Sequence, residues 1–270
     1  MDIYISCGLG DCLIYCQIYD LYRDTFKYNY ILDYKLIYKY RNEKYEIFVK
    51  KIFKLFNVPL KILFNDNYDE SQKFQWTQLL KEYPITNNTL IKYVPIIPND
   101  LPNSYIVINL NIRYVTGYMN KNTFDNMINN ICYILNNTTF IYPPVIIGHR
   151  NSSVKFEVTN YSFYDKLDIS KFIDKSTNCN LIFEPDFDNL LYDINILKNS
   201  KETFQFGFGG SLCLNTFFSN KLSAIISNDK DINYDILPLE FFSYFFDNSL
   251  NTTIYKNYID LLKRLIIYKK

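Results

Sequence analysis

The apolar residues of the chain fall alternately into short runs of strand length and longer stretches with helical spacing. Residues 3–6 form a short apolar run that predicts a buried strand. Over residues 11–23 the apolar side chains recur every three or four positions, as on one face of an amphipathic helix. Gly8 and Gly10 lie between these two segments. The chain is therefore expected to open with a strand, a glycine turn and a helix.

The same alternation continues as far as residue 97. We expect two extended segments within 28–40, a strand at 60–64 and another at 90–97 that Pro95 interrupts, with helices at 45–56 and 68–83. Residues 98–103 then contain two prolines among Asn and Asp residues, a composition typical of a linker.

A second series of strands and helices follows this linker. Strands are predicted at 105–109, 144–148, 180–183, 203–206 and 222–227, and helices at 122–135 with Thr123 as N-cap, from Pro185 to about 198, at 211–218 and at 253–268. Strands that alternate with helices indicate parallel sheets in an α/β fold. Because the series restarts after the linker, we expect two Rossmann-like lobes, residues 1–100 and 101–270, with a cleft between them.

Composition and charge argue against a nucleic-acid-binding protein. The chain has 29 Lys and Arg against 28 Asp and Glu, whereas nucleic-acid binders normally carry a basic patch or a high pI. Its 26 Tyr and 22 Phe accompany frequent Ile, Asn and Lys, a bias that AT-rich codons produce. The aromatic residues are therefore interpreted as a coding bias rather than as a surface for stacking bases.

The cysteines and the hydropathy pattern predict a cytoplasmic protein. The six Cys contain no CxxC pair, so neither a zinc site nor a disulfide framework is indicated. Reduced, buried thiols are the simpler expectation. The first residues lack the basic and apolar regions of a signal peptide, and no apolar run has the length of a transmembrane helix.

Most of the glycines follow predicted strands. Of the seven, Gly8, Gly10, Gly148, Gly207, Gly209 and Gly210 stand at or just after strand ends. Ligands of parallel sheets bind beyond the carboxyl ends of strands, where glycine allows close approach to the backbone. Gly209-Gly210-Ser211 before a helix is thus a candidate diphosphate cradle. The alternative is that these glycines only form tight turns between strands and helices.

Neither glycine loop has a known nucleotide-binding fingerprint. GxGxxG and the Walker pattern GxxxxGK[ST] are both missing, which disfavours a Rossmann-type oxidoreductase. The pair Asp186 and Asp188 precedes a predicted helix and is more simply a helix cap than a metal-binding DxD motif. No metal and no cofactor is therefore expected.

A few polar residues near strand and helix ends are candidates for catalysis and binding. Asp11 at a helix start is either a carboxylate that the helix dipole stabilises or a general base that faces a cleft. The single histidine, His149, is expected to be a loop residue or a hydrogen-bonding partner of a ligand. Arg113 and Lys121 are candidate phosphate partners, although such a residue is more often an ordinary surface charge.

The opening segment resembles a family of enzymes. Residues 5–14, Ile-Ser-Cys-Gly-Leu-Gly-Asp-Cys-Leu-Ile, are similar to the first strand and GxGD turn of heptosyltransferase-like glycosyltransferases of the GT-B fold. Residues 105–113 and 145–148 resemble the first strands of the nucleotide-binding lobe in that family. Residues 188–212 resemble the helix, strand and glycine turn that hold the donor diphosphate.

The resemblance implies a glycosyltransferase that uses a nucleotide-sugar donor and a glycan or other hydroxyl acceptor. It implies that Asp11 is the catalytic base, and that the last helix crosses back to the first lobe. The donor-binding residues that it suggests, together with neighbouring candidates, are Gly10, Arg113, Lys121, Gly148, His149, Phe187, Gly209, Gly210 and Ser211.

The chain also departs from the family pattern. The family usually has an acidic residue and a Ser or Thr before its glycine, where this chain has Phe208 and Gly209. A histidine often follows that glycine, and Leu212 or Cys213 stands there instead. The predicted first lobe is also shorter than usual. These departures favour the alternative of a non-catalytic protein that binds a nucleotide or a glycan.

Overall fold

The computed structural model describes most of the chain. It covers residues 2–5, 8–33, 43–63, 76–109, 114–115, 121–148, 158–159, 164–176, 186–206, 212–225, 251–255 and 257–270. The strand predicted at 180–183 lies outside these residues, as do parts of the segments predicted at 28–40 and 68–83.

The described residues form seven helices and eleven strands. The helices are α1 Leu9–Leu21, α2 Glu43–Leu55, α3 Trp76–Glu82, α4 Lys121–Asn137, α5 Phe187–Asn199, α6 Leu212–Phe218 and α7 Tyr258–Ile266. The strands are β1 Asp2–Ile5, β2 Asn29–Asp33, β3 Leu60–Leu63, β4 Ile106–Asn109, β5 Tyr114–Val115, β6 Pro144–Ile147, β7 Val158–Thr159, β8 Ile173–Asp174, β9 Thr203–Phe206, β10 Leu222–Ile225 and β11 Thr252–Tyr255.

Most of these strands belong to two parallel sheets, as predicted. The first sheet has three strands in the order β1-β2-β3, and the second has six in the order β11-β10-β9-β4-β6-β8. Strands β5 and β7 form a separate antiparallel pair. If the strands of the six-stranded sheet are numbered along the chain, their spatial order is 3-2-1-4-5-6, the order of doubly wound Rossmann folds. The fold is therefore α/β and compatible with a Rossmann-like topology.

The six-stranded sheet is covered by helices on both faces. Successive side chains of a strand point to opposite faces. In β4, Ile106 and Ile108 accordingly pack in a core with residues of α4 and α7, whereas Val107 packs in another core with residues of α5 and α6. A sheet that is buried on both faces needs strands with near-continuous apolar runs, which is why residues 105–108 read as a strand in the sequence.

The core on the α5 and α6 face continues to the three-stranded sheet. The same cluster contains Ile3 and Ile5 of β1 and residues of α1 and α2. Helix α1 packs directly on α6. Phe56, just after α2, stacks on Phe218 at the end of α6 with ring centroids 6.2 Å apart. Residues on both sides of the predicted linker thus share one core, and the division into domains at residue 100 stays a prediction.

The segment before the linker differs from the predicted strand. Residues Leu90–Tyr93 form a 3-10 helix, and no regular structure follows up to β4. Leu90 and Val94 enter the core, so the apolar residues are buried without strand pairing. Pro95 and Pro98 lack the N–H donors that a strand ladder needs, which explains the difference.

Polar side chains of two helices bind this segment. The Gln17 amide donates to Asn87 O at 2.7 Å and accepts from Thr89 N at 3.1 Å. The Asn195 amide donates to Pro95 O and accepts from Ile97 N, both at 3.1 Å. Buried backbone groups that no strand pairs are therefore satisfied by side chains.

The prediction for the end of the chain was wrong in part. The first residues of the helix predicted at 253–268 form β11, which pairs in parallel with β10. β-Branched and aromatic residues at Thr252–Tyr255 favour a strand, and the side chain of Asn257 then caps α7 by accepting from Asp260 N at 2.9 Å.

Helix α7 packs beside α4 on the six-stranded sheet, in a core to which the described residues before position 100 do not contribute. The resemblance implied that this helix crosses back to the first lobe. The difference arises because Leu261 and Leu265 cover the face of the six-stranded sheet that carries Ile106 and Ile108, which is the face opposite α5 and α6.

Helix α4 begins one residue earlier than predicted. Lys121 is its first residue, so Thr123 lies inside the helix and the predicted N-cap was wrong. Among the described residues, no helix is both long and apolar enough to span a membrane.

Candidate functional site

The strand order of the six-stranded sheet indicates where a ligand would bind. The chain leaves β4 towards β6 on one side and later returns to β9 on the other side, so the order reverses between β4 and β9. In open α/β sheets, ligands bind beyond the carboxyl ends of the strands at such a reversal. Asn109 ends β4 and is the register partner of Gln205 in β9. These two residues mark the carboxyl edge of the sheet at the switch point.

Three buried amides join this edge to α6. Asn109 Nδ2 donates to Asn215 Oδ1 at 3.1 Å, and Asn215 Nδ2 donates to Gln205 Oε1 at 2.5 Å. Their exposed fractions are 2% for Asn109 and 0% for Gln205 and Asn215. Buried amides without partners would be costly, by about 1–3 kcal/mol each. The three residues, called here the amide triad, therefore pair with one another and link α6 to both strands.

Asp11 lies in the first turn of α1. It is the third residue of the helix, and its Oδ2 accepts a hydrogen bond from Gly8 N at 3.0 Å. This contact satisfies one of the backbone N–H groups that a helix start leaves unpaired. The carboxylate also lies near the positive end of the helix dipole, which stabilises its charge. A capping role of Asp11, one of the two interpretations of the sequence, is thus present in the structure.

The charge of Asp11 also acts on the first turn of α6. Burial, and secondly the negative charge of Asp11, raise the pKa of the Cys213 thiol well above its ordinary value. Helices α1 and α6 pack on each other, and Cys213 is the second residue of α6, so the first turn of α6 lies within the electrostatic reach of Asp11. The two helices each follow one of the predicted glycine turns. The structure therefore brings Asp11 near the start of the helix that the sequence assigned to donor binding.

The other described candidates lie at element ends. Gly10 is the second residue of α1, and Lys121 is the first residue of α4. Gly148 follows β6, the neighbour of β4. Its φ is 131°, a backbone conformation that residues other than glycine rarely adopt. A glycine is therefore required at this turn.

Phe187 is half-buried and packs against α2. It is the first residue of α5, and its ring lies edge-on to Phe48 of α2 with centroids 6.5 Å apart, while Lys51 Nζ lies 5.5 Å from the ring centre. Asp186 caps α5 by accepting from Asp188 N at 2.9 Å, which agrees with its interpretation as a cap.

Five predicted site residues lie outside the described part of the chain. These are Arg113, His149, Gly209, Gly210 and Ser211. Their assigned roles stay predictions.

The amide triad was not predicted from the sequence. Asn109 ends an apolar strand, which is a weak signal for a site at its carboxyl end. Gln205 alternates with Phe204 and Phe206, and this pattern predicts an exposed side chain rather than a buried one. Only the packing of α6 on that face of the sheet buries it.

In the parts of the chain that the structure describes, no group of three or more His, Cys, Asp or Glu residues could hold a metal ion. The expected independence of metals and cofactors stays a prediction. Comparisons with models of protein families, with curated proteins and with solved structures find no match to this chain.

Proposed function

We propose that this chain is a glycosyltransferase that moves a sugar from a nucleoside-diphosphate donor to a hydroxyl acceptor, with inversion and without a metal ion. The observation that carries the proposal is the packing of α1, which bears Asp11, on α6, which follows the proposed donor-binding turn. A base and a donor-binding turn must meet at one site in such an enzyme, and the electrostatic effect of Asp11 on Cys213 agrees with this arrangement.

The strand order supports a nucleotide site at the same place. The 3-2-1-4-5-6 order sets a switch point between β4 and β9, and α6 follows β9 directly in the chain. Nucleotides commonly bind beyond the carboxyl ends of the strands at such a switch point. A GT-B arrangement, with the donor held by the second half of the chain and the acceptor by the first, is part of the proposal.

In the proposed reaction, Asp11 takes the proton of the acceptor hydroxyl. The acceptor oxygen forms a bond to the anomeric carbon as the bond from that carbon to the diphosphate oxygen breaks, and the nucleoside diphosphate leaves with the electron pair. Gly209, Gly210 and Ser211 would hold the diphosphate, and Arg113 or Lys121 would stabilise its charge, as preorganised donors and cations do. Gly10, Gly148, His149 and Phe187 remain candidates for donor contacts.

A non-catalytic protein that binds a nucleotide or a glycan is the second candidate. The hydrogen bond from Gly8 N to Asp11 Oδ2 favours it, because helix capping alone accounts for a carboxylate at this position. The two candidates share the donor site and differ in the role of Asp11.

The first test is thermal unfolding with a panel of nucleoside diphosphates and nucleotide sugars in the absence of metal ions. A ligand at about 100 times its Kd should stabilise the protein by about 2.7 kcal/mol, which raises the Tm by several degrees. Inorganic phosphate at the same concentration is the control for general anion effects. If no member of the panel raises the Tm more than phosphate does, the proposed donor site is wrong.

A further inference from the structure

The amide triad connects the two strands of the switch point to one helix. Asn109 and Gln205 are register partners on neighbouring parallel strands, and Asn215 hydrogen-bonds to both side chains. Asn215 is the fourth residue of α6, one turn from the start of the helix. The triad therefore fixes the position of the first turn of α6 relative to the carboxyl ends of β4 and β9.

Amides do this more specifically than apolar side chains would. An apolar contact tolerates small shifts of a helix along a sheet, because its energy depends on buried area and not on direction. A chain of two buried hydrogen bonds has preferred distances and angles, and a shift would leave amide groups unpaired in the interior. The triad thus selects one position of α6 on the sheet.

We infer that Asn109, Gln205 and Asn215 are positioning residues that hold the carboxyl ends of β4 and β9 against α6 and so shape the switch point for binding a nucleoside diphosphate, an inference that rests on the proposed function. The three side chains are buried, so they act through the strands and the helix that they join rather than by direct contact with a ligand. Loss of the triad should weaken ligand binding more than it weakens the fold.

The other end of α6 offers a matched control. Ser219, immediately after the helix, donates through Oγ to Thr203 Oγ1 of β9 at 2.9 Å, and both residues are buried. This contact joins the same helix to the same strand at the amino end of the strand, away from the switch point. Ser219→Ala removes one buried hydrogen bond without changing the triad.

The experiment measures Kd by calorimetry and Tm by thermal unfolding for the wild type, Asn215→Ala and Ser219→Ala. The probe is whichever of UDP, GDP, ADP and CDP binds the wild type most tightly. We expect Asn215→Ala to weaken binding about tenfold or more, since small misplacements of binding groups are costly. Ser219→Ala should keep the wild-type Kd. Equal Kd values for Asn215→Ala and the wild type, or equal losses in both variants, would overturn the inference.

A second variant addresses a failure of Asn215→Ala to fold. Asn109→Leu, Gln205→Met and Asn215→Leu together replace the triad by apolar side chains of similar size, a change that can be nearly neutral for stability. A folded triple variant with weakened binding supports the inference, and one that binds as the wild type does overturns it. If the wild type binds none of the four diphosphates, the proposed function fails and the inference fails with it. If the wild type binds and the variants bind equally well, the inference fails alone.

Discussion

Asp11 in the first turn of α1 acts on Cys213 in the first turn of α6, where its negative charge adds to burial in raising the pKa of the thiol. The two residues lie far apart in the sequence and belong to helices that follow strands of different sheets. Their proximity places a carboxylate at the start of the helix nearest to the switch point, and it is the relationship on which the proposed function depends.

The first prediction concerns this proximity. A raised thiol pKa leaves little thiolate at pH 8, so Cys213 should react slowly with iodoacetamide. In Asp11→Asn the negative charge is removed but burial, the larger cause, remains, so the pKa of Cys213 falls only in part and the rate should rise severalfold. Mass spectrometry of the peptide that contains Cys213 measures the rate. Asp24→Asn, on the exposed turn after α1, is the control and should leave the rate unchanged.

The second prediction concerns the role of Asp11 in catalysis. Asp11→Asn keeps a side-chain oxygen that can accept from Gly8 N, so the helix start should lose only about 0.3–1 kcal/mol of dipole stabilisation. It cannot take a proton, and transfer of sugar from the donor should fall by about 10²–10⁴-fold. Donor Kd and transfer rate are measured on the same preparation. An unchanged transfer rate with unchanged Kd would remove Asp11 as the base and leave it as a cap.

The third prediction concerns a buried acid at the amino end of β9, opposite the switch point. Glu202, just before β9, has an exposed side-chain fraction of 0% and accepts from Arg264 Nε at 2.9 Å and from the Tyr268 hydroxyl at 2.7 Å. Glu202→Gln keeps the size but loses the charge-assisted bonds. The free energy of unfolding should fall by about 1.5–3 kcal/mol. Urea unfolding at pH 7 measures it, with Asp24→Asn as an exposed control that should change it by less than about 0.5 kcal/mol.

The fourth prediction follows from the pKa of the same acid. Burial alone would raise the pKa of Glu202, but the hydrogen bonds from Arg264, Ser223 and Tyr268 outweigh it and lower the pKa below its ordinary value of 4.5. The folded chain therefore binds fewer protons than the unfolded chain near that value, and stability should fall as the pH drops through and below about 4.5.

Unfolding free energies of the wild type and Glu202→Gln between about pH 6 and pH 3 test this sign. The curve of the variant should be flatter. Some pH dependence should remain, because the pKa of Asp20 is also lowered: its hydrogen bonds with Thr89, Tyr93 and Lys92 outweigh the opposing effect of burial. A variant curve as steep as that of the wild type would show that Glu202 is not a source of the acid sensitivity.

The fifth prediction concerns the segment that lacks strand pairing. Gln17 binds the backbone of Asn87 and Thr89, and its side chain is fully buried. Gln17→Leu keeps the volume but leaves these backbone groups unpaired, which should cost about 1–3 kcal/mol. The control is Asn130→Ala on the exposed face of α4. This variant removes the hydrogen bond from Asn130 to the Tyr258 hydroxyl and should cost less than about 0.5 kcal/mol. Similar losses in the two variants would mean that Gln17 does not support the segment.

Local periodicity was enough to predict most of the elements. The helices α1, α2 and α5 and the strands β4, β6 and β9 lie within a few residues of their predicted positions. Their apolar residues repeat at the spacing of the element that they form, and this spacing is contained in each segment alone. Segments whose apolar residues are buried by other means, such as 90–97, have the same hydropathy without the same structure.

The sequence by itself determined the α/β class, the parallel sheets and the glycine turn after β6, because each depends on residues close together in the chain. The tertiary structure alone decided the 3-2-1-4-5-6 order, the burial of Gln205 and the approach of Asp11 to Cys213. Which strands become neighbours, and which helix covers a polar face, depends on packing between distant segments. A local pattern of polar and apolar residues does not encode that packing.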